Sequence, residues 1–172
     1  MKTFKIDKSH SNIGFHVKHM MFSKVSGNFK NYEASIEMEG DDFANAKLNF
    51  EAETQSISTN NEERDNHLRS ADFFNAESNA KVAFKSTEVK KEADKKYTIH
   101  GDLTMNGVTN PIELKTQYSG IMQDPWGNDR IALVMETKIN RKDWNINWNQ
   151  ALEAGGVMVS KTVVFDIDAQ FV

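Results

Sequence analysis

Few side chains in this sequence could do chemistry. There are five histidines, His10, His16, His19, His67 and His100, and no cysteine. Disulfides, thiolate catalysis and cysteine-based metal sites are therefore excluded. His16 and His19 lie three apart, which in a strand places them on opposite faces. No HExxH motif or two-histidine-plus-carboxylate spacing occurs, so no metal site is expected, and the plainer reading of the histidines is polar surface or capping. Serines are plentiful, but none stands in a Gly-x-Ser-x-Gly elbow. One group stands apart: Arg64, Asp65 and His67 crowd into "NNEERDNHLRSADFF", residues 60–74, which is charged at first and then abruptly aromatic. Arg64 and His67 could hold an anionic or polar head group. Alternatively, Asp65 and His67 could serve as acid and base on a bound lipid. Helix capping and ion pairing to neighbouring loops is the commoner use of such residues, and the sequence leans that way.

The surroundings of that group are predicted from periodicity. Most of the chain alternates polar and apolar residues one for one. Ile13, Phe15 and Val17 share one face of 12–19, and Asn12, His16 and Lys18 the other. The same alternation recurs in 34–39, 47–52, 81–85, 98–105, 112–118, 131–139 and 163–171, giving eight expected strands. Turn residues such as Asn106-Gly107 and Asp124-Pro125-Trp126-Gly127-Asn128 separate them. Connections this short suit antiparallel neighbours. Each strand has an apolar and a polar face, and eight of them can close into a barrel that removes exposed edges. The reading is an all-β, antiparallel eight-stranded barrel over residues 1–172 as a single domain, with a short helix between strands 3 and 4. That helix is expected over 60–70, opened by a Thr59–Glu62 capping box, with Asp65 and Arg69 paired four residues apart. Leu68, Phe73 and Phe74 would press it against one mouth of the barrel as a lid.

At 172 residues the chain can bury roughly two-thirds of its unfolded surface. Its formal net charge is −4 and it has no basic block, which argues against a nucleic-acid partner. No apolar run is long enough to span a bilayer, and Met1–Asp7 has no leader-like core. The expectation is a soluble cytoplasmic protein, or a periplasmic or secreted one if a leader has been removed. A barrel of this size either fills itself or holds one small ligand. The residues leave those two readings close to even. Met20-Met21-Phe22 and Trp144-x-Ile146-x-Trp148 add apolar weight at strand ends, which suits a mouth admitting flexible hydrocarbon.

Several segments resemble one known family in their order: "DKSHSNIGFHVKH", "GNF", "RDNHLRSADFFNA", "FKS", "GDLTMNGVT" and "INRKDW". Together they resemble the YceI-like family from about residue 4 to the C-terminus. The resemblance implies a lipocalin-like barrel around a long apolar pore that holds a polyisoprenoid or a similar amphiphile, such as an isoprenoid quinone precursor or a fatty-acid derivative. It also implies frequent homodimers, a lipid partner, no further cofactor and no catalytic residue. It places Arg64, Asp65, His67 and Leu68 near the pore. Two departures concern the lid: Asn79-Ala80-Lys81 stands where relatives often have a proline, and Asn75 where an acid is common. The expected pore lining is Phe15, Val17, Phe50, Phe84, Leu103, Leu114, Leu133 and Phe165, closed by Phe73, Phe74 and the helix, for carriage, storage or sensing of the lipid.

Overall fold

A computed structural model of the chain describes residues 1–172 except Ala154. Alternation is realised as antiparallel pairing throughout. The strands are β1 (Lys2–Lys5), β2 (Asn12–His19), β3 (Ser23–Phe29), β4 (Tyr32–Met38), β5 (Lys47–Glu53) and β6 (Ile57–Ser58), followed by helix α1 (Glu62–Arg69), then β7 (Lys81–Ala93), β8 (Lys96–Met105), β9 (Val108–Gln123), β10 (Asp129–Asn140) and β11 (Val159–Phe171). They form one curled sheet in the order β1-β4-β5-β7-β8-β9-β10-β11-β2-β3-β6.

The expected antiparallel barrel class is observed, with eleven strands rather than eight among the described residues. The three additional strands carry weak patterns. β1 has a single apolar residue, Phe4; β3 is mostly polar around Val25, Gly27 and Phe29; and β6 has two residues. The helix accordingly lies between β6 and β7. Its N-cap is Asn61, whose side chain accepts from the Arg64 N–H at 3.0 Å, and not Thr59. Thr59 is instead bound to the Asp65 carboxylate through both its N–H (2.8 Å) and its hydroxyl (2.6 Å). Asp65 is therefore not paired with Arg69, whose guanidinium reaches Gln55 O and Asn66 Oδ1.

β11 runs the full height of the sheet and organises it into two tiers. β2 pairs with β11 from Asp168↔Asn12 to Val159↔His19. Beyond Asp168, the end of β1 and the residue after it take over: Lys5 and Val172 exchange hydrogen bonds at 2.8 Å, and Ile6 bridges Phe171. One tier is thus walled by β2, β3 and β6, the other by β1, β4 and β5. In the second tier β5 pairs directly with β7, which closes the wall. In the first, β6 does not reach β7, and α1 with residues 70–80 fills the interval.

The far end of the second tier is solid. Phe43, fully buried, enters from the turn after β4 and stacks on Tyr118 at 4.2 Å, with Tyr97 edge-on at 5.0 Å. Arg130 ties the outside of this end together, bonding Asp7 Oδ2 at 2.8 Å and Asp124 Oδ2 at 2.9 Å.

Two expectations follow. Phe43→Ala removes a stacked ring from a filled site and should cost about 3–5 kcal/mol, lowering the melting temperature by roughly 10 °C. The Arg130 guanidinium, aided by N–H donors of Asn128 and Trp126, holds the Asp124 carboxyl at about 2, below its ordinary 3.8. Ser9 and Arg130 hold Asp7 lower still. Carboxyls depressed on folding stabilise above their unfolded value and lose that contribution as pH falls through the folded value. The melting temperature should therefore decline from about pH 4 towards pH 2, and Arg130→Met should flatten that decline.

Candidate functional site

Inward-facing side chains of the first tier leave space. A cavity of about 470 Å³ lies there, bounded by β2, β3, the lower turns of β10 and β11, α1, and residues 146–148. Phe15 can lie flat on its wall because its register partner is Gly27, where an added Cβ would meet the Phe15 ring at 2.6 Å. Its volume falls in the range usual for small-molecule sites. The lining is mostly aliphatic and aromatic, with Phe15, Val17, Val25, Phe29, Phe73 and Phe74 among it. A second, much smaller space of about 80 Å³ continues towards the solid tier, against Phe50, Phe84, Leu103 and Leu114. Phe29 and Phe165 border both spaces and stand as the partition between them.

The expected pore lining is thus divided. Phe15 and Val17 line the larger cavity; Phe50, Phe84, Leu103 and Leu114 line the smaller; Phe165 touches both. Leu133 requires correction. It faces inward but lines neither space, because its register partner is Tyr118 and it is packed within the solid tier. Inward orientation was legible from alternation; the tier was not.

Of the expected lid residues, Arg64, His67, Leu68, Phe73 and Phe74 line the larger cavity. Asp65 does not, being buried against Thr59. The same threonine links it to Arg64, whose Nε donates to Thr59 Oγ1 at 2.7 Å and whose other nitrogen donates to Thr59 O at 2.9 Å. His67 is held edge-on between Phe73 (4.9 Å) and Trp148 (4.7 Å), with Nε2 at 2.9 Å from Asp72. Asp65 and His67 therefore do not meet, and no acid–base pair forms between them. Among the described residues no three His, Asp or Glu side chains converge as metal ligands, and no helix is long and apolar enough to cross a membrane.

Sequence reasoning missed Arg141. It lies in the single turn after β10, is 3% exposed, and lines the larger cavity. Its guanidinium donates to three carbonyls, Ile146 O at 2.7 Å, Ser160 O at 2.9 Å and Val159 O at 3.3 Å. Among the described residues the arginine ion pairs belong to Arg69 and Arg130; Arg64 and Arg141 have none. Burial pushes the Arg141 guanidinium below its usual range. A cation kept out of water with neutral partners alone is costly, and a ligand oxygen bearing negative charge would relieve it. The motif "INRKDW" holds this residue, but nothing in its pattern announces an arginine facing inward. His19 also lines the cavity while His16 points outward to Asp166, as their spacing requires.

A family model described as a YceI-like domain matches residues 4–171. A UPF0312 protein of Staphylococcus aureus strain N315 is 39% identical over 172 residues, covering 99% of this chain and 98% of that protein. Among solved structures, BcnA of Burkholderia cenocepacia superposes with a TM-score of 0.81 at 16% identity, covering 96% and 98% of the two chains. A polyisoprenoid binding domain from Saccharophagus degradans superposes with a TM-score of 0.70 at 15% identity, covering 98% and 97%. At such identities the two structures speak to the fold alone.

Removing the partition should lengthen the space. Phe165→Ala should raise the longest hydrocarbon tail bound by several carbons at a stability cost of about 3 kcal/mol, whereas Phe165→Trp should leave only tails that fit the larger cavity. Chain-length profiles by native mass spectrometry check both, and identical profiles for the two variants would remove Phe165 from the partition.

Proposed function

The chain belongs to the YceI-like family, and from that and the cavity we propose that it binds a long-chain amphiphile, a polyisoprenoid, an isoprenoid quinone precursor or a fatty-acid derivative, for carriage, storage or sensing. The observation that carries the reading is a cavity of about 470 Å³ lined mainly by apolar side chains with cations among them. The Saccharophagus degradans neighbour, a polyisoprenoid binding domain, supports it. Each methylene taken out of water contributes about 0.8 kcal/mol, set against the cost of ordering the chain and both partners. Such an interaction ranks tails by length and girth. Discrimination by chemistry falls to the polar end, where Arg64, His67 and Arg141 are the available groups.

Lipid extraction and native mass spectrometry on freshly purified protein test this directly. A retained amphiphile, unchanged through days of incubation, supports binding without turnover. An added sixteen-carbon fatty acid should bind about tenfold tighter than the matching alcohol, a preference worth roughly 1.4 kcal/mol, and Arg64→Ala should narrow it. Steady conversion of added lipid, abolished by His67→Ala, would instead make the protein an enzyme. Protein that retains nothing and whose melting temperature ignores long-chain amphiphiles would sink the binding reading.

A further inference from the structure

The hairpin loop between β2 and β3 has a composition that the cavity does not explain. His19 and Ser23 are register partners, so Met20, Met21 and Phe22 form the loop. Loops of this length normally use glycine, asparagine or aspartate where φ is positive. Here Met20 and Met21 hold φ of 52° and 66°. Their side chains gain no shelter from it: Phe22 is 91% exposed, Met21 60% and Met20 52%. Val157, on the neighbouring loop, is exposed as well.

This tip belongs to the rim of the cavity. Met20 N–H donates to Met158 O at 2.7 Å, and both His19 and Met158 line the cavity. Met21 leans against Gly156, where an added Cβ would meet it at 3.0 Å. The charge behind the tip is equally unbalanced. Lys18 and Lys24 face each other across β2 and β3, a like-charged cross-strand pair that is unfavourable in isolation. Lys161 lies on the next strand, between the Val159↔His19 and Val163↔Val17 pairings. Among the described residues the lysine ion pairs belong to Lys2, Lys8 and Lys81; Lys18, Lys24 and Lys161 have none. Glu153 lies on the adjoining loop and Glu63 on the cavity wall, with Glu62, Asp72 and Asp143 on the elements around the cavity. Asp41, Asp42, Asp94 and Asp124 occupy turns at the opposite end and Asp129 opens β10 there, so a chain of net charge −4 still presents lysines around this tip.

We propose that the Met20-Met21-Phe22 tip docks on an anionic lipid bilayer. The three side chains enter the interfacial layer, Lys18, Lys24 and Lys161 rest against lipid phosphates, and the cavity rim then faces the membrane. An amphiphile can pass between cavity and bilayer with its tail shielded from water. Exposed aromatic and aliphatic groups flanked by lysines are the chemistry that binds such a surface, and the binding weakens as salt screens it. This inference rests on the amphiphile-binding reading.

Flotation of the full chain with vesicles tests it. Vesicles containing about 30 mol% phosphatidylglycerol should retain the protein, pure phosphatidylcholine vesicles should not, and raising salt from about 0.1 to about 0.5 M should release it several-fold. The triple variant Met20→Ser, Met21→Ser, Phe22→Ser should lower partition about tenfold while its melting temperature and fatty-acid binding in solution stay unchanged. Lys18→Glu with Lys24→Glu should lower binding to anionic vesicles alone. Wild-type protein that binds fatty acid in solution but ignores both vesicles overturns this inference and leaves the binding reading intact. Vesicle association without any bound amphiphile overturns the binding reading while the docking itself stands. Dimers in sedimentation that Phe22→Ser separates, with no vesicle association, assign the tip to a second copy of this chain and overturn membrane docking.

Discussion

Phe43 stacked on Tyr118 decides which end of the curled sheet is solid. Every strand sends alternate side chains inward, so both tiers begin with similar apolar content. In the tier walled by β1, β4 and β5, a ring delivered by a loop completes the filling, and Tyr97 packs edge-on against it. In the other tier the intervening wall is α1, whose one inward aliphatic side chain is Leu68. Protein interiors tolerate few voids, and here the void persists because the element closing the wall is polar and short. The cavity is therefore a consequence of how the gap between β6 and β7 is bridged, more than of any residue lining it.

That bridging also explains how the polar groups are distributed. Asp65, the one acid of α1 that is buried, is saturated by Thr59 and fixes the helix to the chain that precedes it. Thr59 in turn receives Arg64, so the arginine is oriented without a direct ion pair. On the opposite wall Arg141 staples the turn after β10 to the start of β11 through backbone carbonyls. Neither cation of the cavity is neutralised by an adjacent carboxylate. The low dielectric around buried Arg141 strengthens its interaction with an entering anion and equally raises the cost of leaving it alone, whereas Arg64 is exposed to solvent.

The sequence made some of this legible and hid the rest for identifiable reasons. Alternation exposed the eight strands with several apolar residues on one face, and the side each residue faces, because period two is set by the backbone alone. It missed β3, where Gly27 stands opposite Phe15 in place of a large inward side chain, and β1, where Phe4 is alone. The Thr59–Glu62 pattern suggested a capping box, but the buried carboxylate of Asp65 competes for the same threonine and moves the cap to Asn61. Leu133 and Val17 look alike in sequence; only the register, which sets Leu133 beside Tyr118, separates core from cavity wall. Arg141 was invisible because sequence gives arginine a surface by default, and its burial depends on carbonyls contributed by residues 146, 159 and 160.

The division between the two spaces bears on what a tail experiences. Phe15 and Phe29 sit with ring centroids 6.0 Å apart and tilted by 48°, and Phe29 meets Phe74 edge-on at 6.3 Å. Edge-to-face contacts of this kind favour particular orientations by about a kcal/mol, comparable to the burial of a single methylene. A tail pressing on Phe29 or Phe165 therefore gains about as much from each added methylene as one ring loses by turning aside. On the reading proposed above, short tails would stay in the larger cavity with the partition in place, and longer ones would reach the space against Phe50 and Phe84 by displacing it. The polar end would meet Arg64 and Arg141 on two separate walls in both cases. The depth open to a tail is then set by Phe29 and Phe165, the two rings that border both spaces.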